Sequence, residues 1–318
     1  MPHTFDLLVI GDANPDVILG PLEAPLAFHQ REQLVGAGAL TLGGSAAIMA
    51  CGAARLGLKV AFAGRVGDDD AGRYVRDALT ARGVDTRALR LDPELPTPLT
   101  VVVTRGDDRA ILTAPGTLAA TTGDDVPESL LAGSRHVHAA SYFLMPALAR
   151  ALPVLLRTAR AHGATTSLDT NDDPAGEWDP LGLPAVLAET DILLPNAHEA
   201  LHLAGPAADS PEAAAALLAA RGPLVAVKNG AEGALCHDGR TLTTTGGVTV
   251  TPADTVGAGD SFDAGFVAAL LAGLPPADAL DVAAACGALS TRAHGGTTAQ
   301  ATWDEAVSHV TRTGKNLS

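Results

Sequence analysis

Residues 254–267 read Asp-Thr-Val-Gly-Ala-Gly-Asp-Ser-Phe-Asp-Ala-Gly-Phe-Val, and this stretch carries the strongest structural signal in the chain. Gly257 and Gly259 stand directly before Asp260, and the apolar run that follows predicts a helix start. Such a turn presents backbone N–H groups and the positive end of the helix dipole to an anion, most often a phosphate. Because Asp260 would repel a resting phosphate, we expect it to accept a proton from a hydroxyl that attacks the phosphate.

The composition describes an acidic protein with few aromatic side chains. Of its 318 residues, 47% are hydrophobic but only 3% are aromatic, so the core must be built from Ala, Val and Leu. The formal net charge of −15 argues against nucleic acid or an anionic membrane as the main partner. No apolar run approaches the roughly 20 residues that span a bilayer, and no secretion signal precedes the first strand-like segment. We therefore expect a cytoplasmic protein.

Short apolar runs alternate with helical segments along most of the chain. Strands are expected at Leu7–Ile10, Val60–Ala63, Val137–Ala140, Thr165–Asp169, Ile192–Leu194, Leu224–Lys228 and Ala234–His237. Helices are expected between them and also after the glycine-rich turn, over residues 260–272 and 277–293. This alternation predicts an α/β fold in three layers, a doubly wound and mostly parallel sheet with helices on both faces.

Two segments, 16–42 and 95–115, interrupt this rhythm with extended, β-prone sequence. Within the second segment, two β-prone runs flank Gly106-Asp107-Asp108, which is a hairpin pattern. We interpret both segments as a small β lid over the site, inserted into a single domain of residues 1–318.

Polar and glycine-rich turns near the N-terminus suit a small polar substrate. Asp16 follows the first strand closely, at the carboxyl edge of the sheet where ligands of α/β proteins bind, and can accept hydrogen bonds from substrate hydroxyls. Gly43 and Gly44 allow the backbone to approach a ligand. Each pattern alone also fits an ordinary polar turn or a helix start.

Asn196 and Glu199 follow another strand, three residues apart, and share one face of the next helix. A carboxylate at that edge of the sheet could hold Mg²⁺ directly or through water. The same pair also fits a capped helix, with Asn196 as the N-cap and Glu199 at its third position.

The run His198-Glu199-Ala200-Leu201-His202 matches the H-E-x-x-H pattern of zinc proteases, in which two His residues bind the metal and the Glu acts as base. It stands at a helix start just after Pro195, and no third ligand is obvious downstream. A zinc hydrolase through His198, Glu199 and His202 is therefore the least favoured alternative.

Lys228 ends a predicted strand and is followed by Gly230 and Gly233. The lysine could neutralise phosphate charge, and the glycines indicate a turn near a nucleotide, although a plain hairpin fits as well. The chain contains no G-x-x-x-x-G-K-[ST] loop, and Gly257-Ala258-Gly259 lacks the third glycine of a dinucleotide fingerprint. A Rossmann dehydrogenase is therefore disfavoured.

Together these motifs resemble the ribokinase-like (PfkB-type) carbohydrate kinase family, in order and over nearly the whole chain. Residues 254–262 resemble its C-terminal signature closely. Its N-terminal signature is recognisable in Gly43-Gly44, Leu56-Gly57, Gly64-Arg65-Val66-Gly67-Asp68-Asp69 and Gly72. Asn196 and Glu199 match the family's Asn-x-x-Glu element, and Asp16 matches its early substrate-binding Asp.

The resemblance implies a kinase that uses ATP and Mg²⁺ to phosphorylate a hydroxyl of a small sugar, and whose lid often also builds a homodimer. It implies the following roles: Asp260 as base; Gly257, Ala258 and Gly259 as the anion hole; Asn14, Asp16, Gly43 and Gly44 around the sugar; Asn196, Lys228, Gly230 and Gly233 around the nucleotide; Glu199 at Mg²⁺; and Asp254, with carbonyls from around 290–296, at a monovalent cation such as K⁺.

The chain departs from the family pattern at two positions. Members commonly have Asn where this chain has Ile48, and Ile cannot hydrogen-bond a sugar hydroxyl. Residues 169–173 read Asp-Thr-Asn-Asp-Asp, whereas members often show Asp-x-Asn-x-Arg, so the Arg is replaced by Asp173. Because of both changes, the resemblance does not specify which acceptor is phosphorylated. A nucleoside is the main alternative, because an apolar Ile48 could face a base.

Overall fold

The computed structural model describes residues 3–106, 108–178 and 182–312. Its strands are β1 Phe5–Ile10, β2 Asn14–Gly20, β3 Ala37–Gly43, β4 Val60–Gly67, β5 Asp85–Asp92, β6 Leu99–Arg105, β7 Asp108–Ala114, β8 Ser134–Ala139, β9 Thr165–Leu168, β10 Ile192–Leu193, β11 Leu224–Lys228, β12 Ala234–His237 and β13 Leu242–Thr245. Its helices are α1 Ser45–Arg55, α2 Asp70–Ala81, α3 Glu128–Ala132, α4 Pro146–Ala161, α5 Leu183–Leu187, α6 Ala197–Ala204, α7 Pro211–Ala219, α8 Ala258–Leu271, α9 Pro276–Ser290 and α10 Trp303–Arg312.

The large sheet has the strand order β13-β12-β11-β10-β9-β8-β1-β4-β5 within the described residues. The strands from β11 to β5 are parallel, whereas β12 and β13 are antiparallel additions at one edge. Alternate residues of the central strand β1 enter two separate cores: Leu7 and Val9 pack on one face of the sheet, Leu8 and Ile10 on the other. Strands buried on both faces require helices on both sides, so the three-layer, doubly wound prediction is confirmed.

Helices α8 and α9 pack closely because small residues line their contact. A side chain at Gly265 would bring its Cβ within 2.8 Å of the Cys286 sulfur and 3.0 Å of the Ala283 backbone. Ala264 and Ala268 are also buried in this core. Close packing of small residues compensates for the scarcity of aromatic side chains and holds the start of α8 in place.

Both β-prone segments contribute to a second, four-stranded sheet with the order β3-β2-β6-β7. Strand β2 pairs antiparallel with β3 and parallel with β6, and β6 forms the expected hairpin with β7. The hairpin turn includes Asp107, which lies outside the described residues. The assignment of residues 1–318 to one domain also covers residues that are not described, and it stays a prediction.

Several boundaries and elements differ from the sequence predictions. Strands β5 and β13 and the short helix α3 were not predicted, because their sequences carry too little apolar periodicity. Helix α8 begins at Ala258 rather than at residue 260, because Gly257 adopts a left-handed backbone (φ 73°) that turns the chain directly into the helix. No helix in the described part of the chain is long and apolar enough to cross a bilayer.

Candidate active site

The site lies where the carboxyl ends of the parallel strands meet the first turns of α1, α6 and α8. Asp12 follows β1, Asp169 and Asn171 follow β9, Asn196 follows β10, and Lys228 ends β11. Parallel strands end at one edge of a sheet, so their trailing polar residues converge there.

Asp260 lies in the first turn of α8, with its carboxylate beside the start of α1. The Ser45 hydroxyl donates a hydrogen bond to Asp260 Oδ1, and the Ser45 oxygen accepts one from Asn171 Nδ2 at 2.9 Å. Removal from bulk water raises the pKa of Asp260 to about 7, although the Ser45 hydrogen bond acts in the opposite direction. The carboxyl therefore titrates near neutral pH, which suits a general base.

The start of α1 is capped by a carboxylate that the sequence analysis did not single out. Asp12 Oδ2 accepts the backbone N–H of Ser45 at 3.1 Å, and Oδ1 accepts that of Ala46 at 3.0 Å. Gly44, directly before the helix, has a left-handed backbone (φ 89°), and a Cβ there would lie 2.8 Å from the Ala13 Cα. The glycine therefore brings the chain close enough for Asp12 to hold Ser45 in place.

Lys228 lies among buried carboxylates behind Asp260. Its Nζ is 2.6 Å from Asp169 Oδ2 and 3.2 Å from both oxygens of Asp263. Although burial favours the neutral form, the carboxylates raise the pKa of Lys228. Burial raises the pKa of Asp263, whereas Lys228 helps to hold that of Asp169 below its usual value. The Lys228 ammonium already forms ion pairs with Asp169 and Asp263, so its predicted contact with phosphate stays a prediction.

Asp169, Asp260 and Asp263 bring oxygens within 4.8 Å of one another, the one such cluster of possible metal ligands in the described part of the chain. We do not assign these residues as metal ligands, because the Lys228 ammonium already lies between two of them. A divalent cation there would have to displace this lysine.

A cavity of about 390 Å³ opens between the end of β11 and helices α8 and α9. Its lining includes the predicted residues Lys228, Gly230, Gly233, Ala258 and Gly259, together with apolar residues such as Val248, Val250, Pro252, Phe262 and Ala288. Thr255 also lines it and accepts a hydrogen bond at 3.1 Å from Arg109 of β7. A mostly apolar cleft beside a helix start suits a nucleotide, with its base against the apolar wall and its phosphates at the helix start.

Asn14 and Asp16 lie on β2, where the small sheet meets the large one. Asn14 Nδ2 donates to Asp16 Oδ1 at 2.7 Å and to Thr100 Oγ1 at 3.1 Å. The Asp16 carboxylate lies over the Cα of Gly43, where a Cβ would overlap it. Gly43 is therefore needed to make room for Asp16. Burial raises the pKa of Asp16 to about 7, and the charged neighbours Asp12 and Asp254 act in the same direction.

Asn196 and Glu199 form the reciprocal cap that the sequence analysis gave as an alternative. Asn196 Oδ1 accepts the Glu199 N–H at 2.9 Å, while Glu199 accepts the backbone N–H of Asn196 at 2.8 Å and its amide at 2.6 Å. Burial raises the pKa of Glu199 to about 7. Its oxygens keep lone pairs that could bind Mg²⁺ directly or through water, so the capped helix and the metal role are compatible.

The zinc alternative lacks geometric support. Glu199 is 4% exposed and turns inward, whereas His198 and His202 are exposed. His202 Nδ1 lies 2.8 Å from the His198 carbonyl oxygen, and its ring stacks on Trp178 at a centroid distance of 4.8 Å. The two histidines therefore pack against an aromatic ring on the surface, apart from the glutamate.

Asp254 and Ile48 meet a loop that precedes α10. Asp254 accepts the backbone N–H groups of Val256 and Gly295, each at 3.0 Å, beside the predicted cation-binding carbonyls. Ile48 is 3% exposed and packs against Gly257 and Gly296. Its side chain fills space within the fold, so it gives no support to a contact with a nucleoside base.

The second departure from the family pattern has a structural role of its own. Asp173 is buried, and its carboxylate accepts the backbone N–H groups of Ala175, Glu177 and Trp178 at 2.6–2.9 Å. It therefore closes the loop after β9, where many family members would have a positive charge.

The fold and site define a phosphotransferase of the α/β class, and comparison with known proteins gives its family. The model of the pfkB family carbohydrate kinases matches residues 4–303, so the chain belongs to this family of carbohydrate kinases. It is 34% identical to an ATP-dependent ribose-1-phosphate kinase from Halopiger xanaduensis, over 80% of this chain and 81% of that protein. It is 31% identical to a 2-dehydro-3-deoxygluconokinase from Bacillus subtilis, over 80% and 82%.

A solved structure supports the same relationship. The chain superposes with a TM-score of 0.85 on an E. coli protein assigned as a ribokinase II and solved in complex with ATP and Mg²⁺. The two sequences are 26% identical, and the match covers 96% of this chain and 99% of that one. The predicted ribokinase-like fold is therefore confirmed.

Replacing Lys228 by Met should lower the free energy of unfolding by about 3–5 kcal/mol, because Asp169 and Asp263 would lose the cation between them. Urea denaturation followed by circular dichroism measures this change. The matched control, Lys59→Met at an exposed position, should change stability by about 0.5 kcal/mol or less. A loss below about 1 kcal/mol for Lys228→Met would contradict the charge balance described here.

Proposed function

We propose that the protein transfers the γ-phosphoryl group of ATP to a hydroxyl of an uncharged small sugar, with Asp260 as the general base. The observation that carries this proposal is the position of Asp260. Asp260 follows Gly259, which lines the cavity, and accepts a hydrogen bond from Ser45. Ser45 in turn follows Gly43 and Gly44, the two glycines that contact Asp16 and Asp12. A base between a nucleotide cleft and a polar acceptor site is the arrangement that phosphoryl transfer to an alcohol requires.

The first turn of α8 would stabilise the negative charge of the transferring group. Its N–H groups, from Gly257 to Asp260, have no acceptor within the helix, and the Ala258 N–H makes a long bond of 3.4 Å to the carbonyl of Thr255, which precedes the helix. Arg109 brings a guanidinium to the rim of the same cavity through Thr255. Bound Mg²⁺ would screen the phosphate charges, and Glu199 with Asn196 would hold it at the sheet edge.

The acceptor side of the site favours an uncharged substrate. The charged groups that perturb Asp16 are the carboxylates Asp12 and Asp254. A substrate carboxylate would be repelled by these groups, whereas sugar hydroxyls can donate to them. The names of the two relatives above specify a sugar phosphate and a sugar acid, so this chain should differ from them in specificity.

The homodimer implied by the family stays a prediction, which the molar mass in solution would test. The exposed apolar side chains Leu40 on β3 and Leu112 on β7 lie on one face of the small sheet and support it. The same sheet carries Asn14, Asp16 and Arg109, and we propose that it acts as the lid.

Replacing Asp260 by Asn should lower kcat by about 10²–10⁴, because the variant keeps the shape of the carboxyl but cannot take a proton. An ADP-coupled assay measures this, and Asp304→Asn on the exposed start of α10 is the matched control. In the wild-type enzyme, kcat/KM should fall as the pH drops below about 7, because Asp260 becomes protonated there. Turnover by Asp260→Asn close to that of wild type would overturn the base assignment.

A screen of acceptors should give higher kcat/KM for neutral sugars such as D-ribose or D-fructose than for 2-dehydro-3-deoxygluconate or ribose 1-phosphate. Asp16→Asn should raise KM for the best sugar by about 10–100-fold, because a charge-assisted hydrogen bond is lost. Initial rates over a range of sugar concentrations give both values. A preference for either anionic acceptor would refute the proposal that the substrate is an uncharged sugar, but it would not contradict the proposed phosphoryl transfer.

Turnover should be faster in K⁺ than in Na⁺ buffer of equal ionic strength, because Asp254 and carbonyls from around 290–296 would hold the larger monovalent cation next to the start of α8. Asp254→Ala should remove this difference. Equal rates of the wild-type enzyme in the two salts would count against a cation site.

A further inference from the structure

A chain of hydrogen bonds links the backbone at Ser141 to the carboxylate of Asp260. The Ser141 backbone N–H donates to Asn171 Oδ1 at 2.7 Å. A backbone N–H can only donate, so the atom that faces it must be the amide oxygen of Asn171. The amide nitrogen of Asn171 therefore points the other way.

That nitrogen fixes the direction of the next hydrogen bond. Asn171 Nδ2 donates to Ser45 Oγ at 2.9 Å, and an amide nitrogen cannot accept. Ser45 Oγ accepts at this contact, so its single proton remains for the bond to Asp260 Oδ1. While Asp260 is ionised, each hydrogen bond from Ser141 to Asp260 thus has one permitted direction.

The first two residues of this hydrogen-bonded chain adopt an uncommon backbone conformation. Ser141 (φ 58°) and Asn171 (φ 56°) are both left-handed, although neither is glycine. Asp169 Oδ1 accepts the Asn171 N–H at 3.0 Å, and Asp12 holds the Ser45 N–H at 3.1 Å. Such strained residues persist where the surrounding structure holds them, and they concentrate at functional sites.

We propose that Ser45 and Asn171 are positioning residues for phosphoryl transfer: they keep a proton donor on Oδ1 of Asp260 and leave Oδ2 to take the proton of the acceptor hydroxyl. This inference rests on the proposed role of Asp260 as the base. Neither residue touches the reacting atoms in this scheme; both act through the carboxylate, and Asn171 acts through Ser45.

The charged groups around Asp260 make the hydrogen bond from the Ser45 hydroxyl important for the pKa of Asp260. Burial raises the pKa of Asp260, and Asp169 behind it and Asp12 at the start of α1 act in the same direction; Asp260 in turn helps to raise the pKa of Asp263. Lys228 and the Ser45 hydroxyl act in the opposite direction. Loss of the hydroxyl should therefore raise the pKa of Asp260 further and leave less of the ionised base near neutral pH.

The test compares pH profiles of kcat/KM for the wild type, Ser45→Ala, Ser45→Thr and Asn171→Gly, with the neutral sugar that the acceptor screen selects. Ser45→Ala should move the acid limb to higher pH by about one unit, with activity near that of wild type above about pH 9. Ser45→Thr keeps the hydroxyl and should restore the profile. Asn171→Gly suits the left-handed backbone and should give a smaller shift in the same direction.

Thermal unfolding supplies a readout that does not depend on activity. A carboxyl whose folded pKa is raised contributes stability at low pH that is lost as the pH rises through that pKa. Since Ser45→Ala raises this pKa further, its Tm should fall below that of wild type by more at pH 8.5 than at pH 5.5. The control Ser308→Ala, at an exposed position of α10, should show no such pH dependence.

Two outcomes would overturn the proposal: a Ser45→Ala profile that superimposes on that of wild type, or one reduced by the same factor at every pH. Asp260→Asn separates this failure from that of the proposed function. If Asp260→Asn is inactive while the Ser45→Ala profile is unshifted, the base assignment stands and only the positioning role fails. If Asp260→Asn stays active, both fail.

Discussion

The contact of the Lys228 ammonium with Asp169 and Asp263 is the interaction on which the rest of the site depends. Buried carboxylates without a cation cost several kcal/mol or become protonated. With Lys228 beside it, Asp169 stays ionised and accepts the Asn171 N–H, which holds Asn171 in its left-handed conformation. Asn171 in turn orients Ser45 toward Asp260. Through this series of contacts, the ammonium of Lys228 helps to set the position of the hydroxyl that bonds Asp260, the carboxyl that would take the proton.

The sequence could predict the parts of the site that are local. The turn from Gly257 to Asp260 and the Asn196–Glu199 cap each lie within a few residues, so their geometry follows from helix-start chemistry. The alternation of strands and helices likewise follows from apolar periodicity, and it locates the sheet edge where these elements meet.

The remaining contacts join residues that are far apart in the chain. Asp12 caps a helix that begins 33 residues later, Asn171 reaches Ser45 across 126 residues, and Ser45 reaches Asp260 across 215. A one-dimensional pattern places each of these residues near the edge of the sheet but cannot say which ones touch. Only the packing of α1 against α8 shows that Ser45, whose backbone N–H is held by Asp12, donates its hydroxyl to Asp260.

Ile48 has a packing role at a position where the family pattern has a polar residue. The family pattern would have Asn here, and the structure instead uses the isoleucine to fill the space beside Gly257 and Gly296, where any Cβ would collide with a neighbour. This packing fixes the turn that starts α8, so the apolar side chain supports the anion-binding loop rather than the acceptor. With Asp16 at the acceptor as proposed, recognition would come from Asn14, Asp16 and Thr100, whose hydrogen bonds suit hydroxyl groups. Selectivity for the sugar would then lie in the small sheet, whose paired strands hold these residues, rather than at the start of α1.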